Sequence, residues 1–204
     1  MVSMFNDKGE MELAASNDNQ REEDAIYNLK CLLAAIYPPN VWDDSVEDTA
    51  RRIYRFWKEY TPSTTLGFEL TTFPAQVNQL IVVSDIEFSS LCAHHLLPYY
   101  GRAHVGYVPN RLQVGLSKIP RLVDHFAKRP SVQETLTANI ASYLKEELQA
   151  HGVAVVVEAR HTCMACRGVR KHNGVMLTSE MRGIFLTAGE ARAEFIRLIG
   201  RERL

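Results

Sequence analysis

Apolar residues divide the chain into an N-terminal part with helical spacing and a longer part that begins with strand spacing. Between Ile26 and Ile36 they fall three or four positions apart, which predicts a helix over 22–35. A second helix is predicted over 46–60. Residues 1–20 are polar without sustained periodicity, and we expect a flexible arm there. From Leu80 onward β-branched residues become frequent, which favours strands.

The second part alternates runs of strands with runs of helices. The predicted strands cover 80–86, 102–108, 111–115, 153–163, 175–178 and 182–186. The second is expected to form a hairpin with the third, and the fifth with the sixth. The predicted helices cover 117–127, 131–149 (ended by Gly152) and 191–199. Because these elements come in runs, the pattern predicts an α+β fold with a mainly antiparallel sheet.

Composition indicates an ordinary globular protein and excludes several classes. The 204 residues are 46% apolar and 23% charged, with a formal net charge of −1. No basic excess therefore points to nucleic acid or to an anionic membrane as a partner. We find neither an apolar run of the roughly 20 residues that span a bilayer nor a signal peptide, so we expect a cytoplasmic protein. Four cysteines do not make a disulfide framework, and intracellular cysteines more often bind metal or take part in chemistry.

Cysteines and histidines cluster at two distant places in the sequence. Cys92 and His95 have the C-x-x-H spacing that lets two ligands converge on one ion, and Cys163 could supply a third ligand. Zinc prefers thiolate and imidazole, and three protein ligands with one open position are typical of catalytic zinc. His94 and His161 would then lie beside the metal, where imidazoles suit proton transfer.

Other interpretations of these residues stay open. The two adjacent histidines could be a buried pair beside an inert cysteine. A closed structural zinc site could also be built from four ligands, namely Cys92, His95, Cys163 and Cys166. Strand parity argues against the closed site. If the strand continues through Ala165, His161 and Cys163 share one face and Cys166 points to the other, although a bulge or turn after Cys163 would undo this argument.

The segment that precedes the helix at 117–127 could bind an anion. Ser117 is a natural N-cap, and Lys118 and Arg121 project from one face of the helix start, where free N–H groups already favour negative charge. The alternative is a capped helix with two surface cations. Arg52 and Arg167 are further candidates for binding an anion.

Glu134 also has two interpretations. With Ser131 it fits the capping box, in which the carboxylate turns back to the N-cap N–H. Alternatively, its carboxylate could accept hydrogen bonds from two adjacent N–H donors of a guanine edge.

Seven segments together resemble the GTP cyclohydrolase I family, over about residues 48–198. They are DTARR at 48–52, CAHHLLP at 92–98, YVPN at 107–110, GLSKIPRLV at 115–123, RPSVQETLT at 129–137, HTCMACRGVR at 161–170 and TSEMRGIF at 178–185. The chain departs from the family's usual pattern at Ala93, where an acidic residue is common, at Cys166, and in a short loop at 172–175.

The resemblance implies a fold, a reaction and an assembly. Enzymes of this family convert GTP to 7,8-dihydroneopterin triphosphate and release formate, with zinc as the cofactor. Their fold is the tunnelling fold (T-fold), an antiparallel sheet with helices on one side. Five subunits close their sheets into a barrel, and two such rings stack as a decamer with active sites at subunit interfaces. On this basis residues 21–75 form an N-terminal helical region and residues 76–204 the T-fold catalytic domain.

The resemblance also assigns roles to individual residues. The zinc ligands would be Cys92, His95 and Cys163. Proton transfer would fall to His94, His161 and Ser117, the last of these at the sugar. The triphosphate and ribose would be bound by Lys118, Arg121 and Arg167, with Arg52 reaching in from a neighbouring subunit. Guanine would be recognised by Gln133 and Glu134.

Two alternative functions stay open beside this one. The first is a non-catalytic module that a closed zinc site stabilises. The second is a sister enzyme of the same fold with a different substrate, such as the nitrile reductase of deazaguanine metabolism, which has no need of a C-x-H-H zinc site.

Overall fold

The computed structural model describes residues 18–38, 40, 48–60 and 68–200. The chain divides into two compact units, Met1–Glu59 and Tyr60–Leu204. In the first unit, α1 (Asp18–Ile36) contacts α2 (Thr49–Glu59). Both predicted helices are therefore present, although 46–47 and most of the predicted arm lie outside the described residues. No helix among the described residues is both long and apolar enough to cross a bilayer.

The second unit is built on a five-stranded sheet. Its strands are β2 (Ile81–Cys92), β3 (Pro98–Val108), β5 (Pro130–Ser131), β6 (Gly152–His161) and β7 (Met176–Gly183), in the order β5-β2-β3-β6-β7. All pairs are antiparallel except the short β2–β5 pair. A separate two-stranded sheet joins β1 (Thr72–Pro74) to β4 (Leu112–Val114). The helices are α3 (Lys118–Ala127), α4 (Gln133–Leu148), α5 (Thr162–Ala165), α6 (Ile184–Thr187) and α7 (Gly189–Ile199).

The main core lies between one face of the sheet and helices α3 and α4. Apolar residues alternate along the central strands, so that Val105, Val155 and Val157 are buried with Leu136 and Ile140 of α4. The opposite face carries a smaller core at one end, where α6 and α7 contribute Phe185 and Phe195. The expected α+β fold with a mainly antiparallel sheet is confirmed.

Both predicted hairpins are wrong. Residues 112–114 pair with β1 rather than with β3. Residues 176–183 form one continuous strand, and the chain then enters α6 instead of returning. Polar residues in the middle of β7 resemble a turn in the sequence, but β7 is an edge strand whose half-exposed positions tolerate them. The sequence does not determine which strand is a partner, because pairing depends on contacts between distant residues.

Two element boundaries, at the ends of β2 and α4, also differ from expectation. The strand predicted over 80–86 continues to Cys92 after a bulge between Val83 and Ile86. Helix α4 ends at Gln149, which adopts a left-handed conformation with φ of 45°, and not at Gly152. Gly152 instead opens β6, where a Cβ would lie 2.7 Å from Ile184 Cγ2 and 2.8 Å from the Arg182 carbonyl oxygen.

His104 fixes the bulge in β2 and should make the fold sensitive to acid. Its Nδ1 accepts a hydrogen bond from the Asp85 N–H at 3.2 Å, and Asp85 has φ of 57°. Burial lowers the pKa of His104, an effect that the charges of Asp85 and Glu158 oppose and that of Arg102 reinforces. Stability from the neutral imidazole is therefore fully present above the unfolded pKa of about 6.5 and is lost as the pH falls towards the lower folded value.

We expect the free energy of unfolding to fall less on acidification for His104→Asn than for the parent protein. Asparagine offers an uncharged acceptor to the same N–H. Urea unfolding at a series of pH values, with both proteins in the same metal state, measures this difference. Burial also lowers the pKa of His125 and of His161, but both residues are present in the two proteins. Parallel pH profiles would contradict the assignment.

Candidate active site

Cys92, the first residue of the C-x-x-H motif, is the last residue of β2. His95, its last residue, lies in the loop to β3. The Cys92 N–H donates to the Leu97 carbonyl at 2.9 Å, and the Leu96 N–H donates to the Cys92 carbonyl at 2.8 Å. The turn leaves Cys92 buried and His95 exposed. Ser131 of β5 is paired with Cys92 on the other side, and its carbonyl accepts the Ala93 N–H at 3.2 Å. The loop is thus held at both ends.

The second half of the cluster lies on α5. Strand β6 ends at His161, and the chain turns at once into this helix. The Thr162 hydroxyl donates to the Pro98 carbonyl at 2.6 Å, which holds α5 against the start of β3. The strand prediction through Cys163 is therefore wrong, and so is the parity argument that depended on it. Cys166 lies at the C-terminus of α5 and is exposed.

Three candidate ligand atoms converge at this point. Those of Cys92, His95 and Cys163 all lie within 4.8 Å of one another, and Cys166 is not part of the group. In a tetrahedral zinc site with Zn–S of about 2.3 Å and Zn–N of about 2.0 Å, ligand atoms lie roughly 3.5–3.8 Å apart. The observed distance from Cys92 Sγ to His95 Nδ1 is 3.8 Å. Two thiols and one imidazole in this arrangement fit zinc with one position left open.

The protonation of the cluster also favours a cation. Burial raises the pKa of the Cys163 thiol, and the neighbouring Cys92 raises it further, because two adjacent thiolates repel. Arg167 opposes this rise. A divalent cation between the two sulfurs would remove the repulsion and stabilise both thiolates. The thiolate form of this donor set is therefore one that a bound cation would stabilise.

His161 is held on two sides. Its Nε2 lies 2.8 Å from the side-chain oxygen of Gln133, and its ring stacks on Tyr99 with centroids 4.6 Å apart and planes within 2°. Tyr99 is fully buried, and its hydroxyl hydrogen-bonds Ser131 Oγ at 3.0 Å. Burial lowers the pKa of His161, an effect that the charge of Glu134 opposes.

His94 is exposed on the loop after β2. Its Nδ1 lies 3.9 Å from Cys92 Sγ, and its ring meets that of His95 edge-on at 6.1 Å. It therefore stands beside the proposed metal ligands without being grouped with them.

Glu134 faces the same region from the first turn of α4. The capping-box interpretation is wrong, because Val132 is the N-cap, the helix start has no side-chain cap, and Ser131 bonds Tyr99. The Glu134 carboxylate is exposed, and its charge acts on both His161 and Tyr99. It is therefore left available to a ligand.

Arg167 reaches the cluster from the turn that follows α5. Its Nη1 lies 2.7 Å from His95 Nε2. Since a guanidinium can only donate, His95 accepts this hydrogen bond.

The predicted phosphate residues Ser117 and Lys118 lie at the end of α3 that is away from β5. Ser117 and Lys118 lie at the start of α3, whereas its other end leads to β5, which pairs with Cys92. The ten residues of α3 rise about 1.5 Å each, so its two ends are roughly 14 Å apart. Lys118 Nζ donates to the Glu69 carbonyl at 3.2 Å, and Arg121 is exposed one turn further on. Arg52 lies on α2, in the other unit.

Two residues that shape the site were missed in the sequence. Tyr99 supports His161 because β3 and β6 pair in a register that places them opposite each other. Thr162 fixes α5 through a backbone carbonyl. The β-strand pattern around Tyr99 gave no sign of this role, since the register of distant strands is not visible in either segment alone.

The chain is similar to proteins of one family along most of its length. A family model described as GTP cyclohydrolase I matches residues 28–200. The GTP cyclohydrolase 1 of Sulfurihydrogenibium sp. (strain YO3AOP1) is 46% identical over 76% of this chain and 83% of its own length. That of Campylobacter jejuni subsp. jejuni serotype O:23/36 (strain 81-176) is 56% identical, over 74% and 82%. That of Aquifex aeolicus (strain VF5) is 42% identical, over 76% and 85%.

Among solved structures, the archaeosine synthase QueF-Like in the apo form matches 51% of this chain and 93% of its own. The TM-score is 0.43 and the sequence identity 15%.

Proposed function

This chain belongs to the GTP cyclohydrolase I family of hydrolases, and we propose that it converts GTP to 7,8-dihydroneopterin triphosphate with release of formate at a zinc site. The proposal rests on the convergence of Cys92, His95 and Cys163. Two residues before Cys163 lies His161, whose imidazole Gln133 holds in place. An open three-ligand site next to a positioned proton donor is what hydrolysis of a ring carbon requires.

Each side chain near the site has a proposed role in the reaction. When bound, zinc supplies the Lewis-acid chemistry that makes water a nucleophile near neutral pH. His161 is proposed to protonate N7 of the guanine as the ring opens, and His94 to orient the water or the C8 hydroxyl. Ser117 is proposed to transfer a proton at the sugar. Glu134 is proposed to accept from the two adjacent N–H groups of the guanine edge, which its exposure and its freedom from capping support.

Arg167 is proposed to bind the triphosphate once the metal is in place. Its hydrogen bond to His95 needs the lone pair of Nε2. An imidazole that binds a metal through Nδ1, the nitrogen nearer Cys92, carries its hydrogen on Nε2 and cannot also accept from a guanidinium. The two contacts exclude each other, so metal binding would release Arg167 for an anion.

The rival closed zinc site receives no support from the position of Cys166. This residue is exposed, and its sulfur lies outside the ligand group. A non-catalytic zinc module would also leave the fixed orientation of His161 without a purpose.

Incubating the purified protein with GTP and zinc tests the function directly. We expect pterin fluorescence to appear together with an equal amount of formate. Loss of GTP without either product, or no reaction in zinc-saturated protein, would overturn the proposal.

The triphosphate is proposed to supply binding energy that positions the base without reacting itself. We expect Lys118→Ala or Arg121→Ala to weaken GTP binding by roughly 10- to 150-fold, since each removes a charged hydrogen bond of about 1.5–3 kcal/mol. Isothermal titration calorimetry with GTP measures the change in affinity. Guanosine, which lacks the triphosphate, is the control ligand. Equal turnover of GTP and guanosine by the parent protein would contradict an anion site.

The active sites are proposed to form between subunits of a homodecamer made of two five-membered rings. The position of Ser117 and Lys118 supports this, because they begin α3 whereas its other end leads to β5, the strand beside Cys92. Among the described residues β7 pairs on one side only, and its Leu177 is 67% exposed, so another copy can pair with its free edge. Arg52 would likewise serve a neighbouring site.

Sedimentation under assay conditions tests this assembly. We expect one species of about ten subunits that carries the activity. A fully active monomer would contradict shared sites.

A further inference from the structure

The side chain of Gln133 is enclosed by hydrogen bonds within the protein. It is 1% exposed although it is polar. Its Nε2 lies 3.0 Å from the Val157 carbonyl oxygen, 3.1 Å from the Met176 carbonyl oxygen and 3.1 Å from Thr178 Oγ1. Its Oε1 faces His161 Nε2 at 2.8 Å. A buried amide of this kind has one orientation in which all of its groups are satisfied.

The surrounding groups determine that orientation. The two backbone carbonyls can only accept, so the NH₂ group of Gln133 must face them. The Thr137 hydroxyl donates its single hydrogen to the backbone carbonyl of Gln133 at 2.8 Å. It also lies 2.6 Å from Thr178 Oγ1. Thr178 must therefore donate to Thr137, which leaves its own lone pairs for the Gln133 amide. Rotating the amide by 180° would set oxygen against three acceptors.

The orientation of Gln133 decides which nitrogen of His161 carries hydrogen. With its NH₂ group committed to Val157, Met176 and Thr178, the amide presents only its oxygen to the imidazole. An amide oxygen accepts, so Nε2 of His161 must be the donor. In the neutral ring the lone pair is then on Nδ1, so Nδ1 is the nitrogen that takes up a proton and, in the imidazolium form, can pass it to the substrate. The stack on Tyr99 prevents the ring from tilting out of this arrangement.

We propose that Gln133 is a positioning residue that fixes the ring orientation and the tautomer of His161, so that Nδ1 is the nitrogen that meets the substrate. This inference rests on the proposed function only where it speaks of a substrate. It also separates the two residues that the family resemblance pairs at guanine. Glu134 keeps an exposed carboxylate for that purpose, whereas both amide hydrogens of the Gln133 side chain are engaged inside the protein.

The tautomer can be measured without any catalytic assay. We would label histidine with ¹⁵N and record two-bond ¹H–¹⁵N correlations of the zinc-loaded protein at mildly alkaline pH, where neutral imidazole predominates. The His161 signals are identified by their absence in His161→Ala. We expect the Nε2–H pattern. A predominant Nδ1–H pattern would overturn the inference even if the enzyme turns over GTP normally.

A variant then connects the tautomer to the reaction. Gln133→Met has nearly the same volume but no hydrogen-bonding group, so we expect a mixed tautomer signal and a kcat lower by about 10-fold or more, the usual cost of losing a supporting contact. The KM for GTP should change by less than about 3-fold, because a side chain whose amide groups are all engaged within the protein is not expected to bind the base. Thermal unfolding and zinc content check that the variant is folded and loaded.

The outcomes separate the two proposals. A large rise in KM with an unchanged kcat in Gln133→Met would mean that the side chain binds guanine, and it would overturn the positioning role. If the variant does not fold, the tautomer of the parent protein still decides the question. If the parent shows the Nε2–H tautomer but forms no formate from GTP, the proposed reaction fails while the assignment of Gln133 stands.

Discussion

Replacing Cys163 by serine is expected to remove zinc and turnover together, whereas the same replacement at Cys166 should leave both near the parent values. The two cysteines lie three residues apart at one short helix, yet only Cys163 has its sulfur within 4.8 Å of the other two ligand atoms. Serine is a poor substitute for a thiolate because its hydroxyl does not ionise near neutral pH. An open three-ligand site that loses one ligand should hold zinc at least 10-fold more weakly and turn over at least about 100-fold more slowly.

The matched pair makes this test specific. Both variants lose one sulfur atom, so a general effect of losing a thiol would appear in both. Zinc per subunit is measured by atomic emission on the same preparations that are assayed for formate. If Cys166→Ser loses its zinc, the closed four-ligand site is correct. If Cys163→Ser keeps a full complement, the cluster is not the metal site.

The local parts of the fold were predictable from sequence, and the long-range parts were not. Helical spacing marked α1, α3, α4 and α7 within a few residues, because an amphipathic helix buries residues that are neighbours in sequence. The partner of β4 and the single strand β7 could not be found in this way. Which edge a strand joins depends on contacts with residues far along the chain, and short polar strands carry little signal of their own.

The candidate site shows the same division. The residue types and the spacing of Cys92 and His95 suggested a metal, and the structure brings Cys163 to them. The reasoning that placed Cys166 elsewhere failed at its premise, because α5 begins where a strand was expected to continue. A four-residue helix has too short a pattern to be recognised in sequence. The role of Gln133 depends on carbonyls at Val157 and Met176, whose positions are set only by the pairing of β6 with β7.

Sites shared between subunits can be tested by mixing variants. If Lys118 and Arg121 serve a site in another subunit, then mixing two impaired variants can raise activity at a GTP concentration that is limiting for Lys118→Ala. A Lys118→Ala chain keeps an intact metal cluster, and a Cys163→Ser chain keeps an intact α3. Mixed oligomers of the two would contain some sites with both parts whole, which is not possible when each site belongs to one chain.

His161→Ala is expected to keep its zinc and yet lose at least 100-fold in turnover, the lower end of what general acid–base catalysis contributes. The imidazole lies two residues from Cys163 but is not grouped with the ligands, and its Nε2 bonds to Gln133. Removing it therefore deletes a proton donor without deleting a ligand. The comparison variant is His95→Ala, which should lose the zinc itself, since an open three-ligand site cannot spare one.

A packing role would instead lower the stability of His161→Ala, because the truncation leaves Tyr99 without its stacked ring and Gln133 Oε1 without its donor. Thermal unfolding, zinc content and formate release measured on one sample distinguish these cases. A folded, zinc-replete His161→Ala protein that opens the guanine ring at the parent rate would show that His161 supports the site without taking part in the reaction.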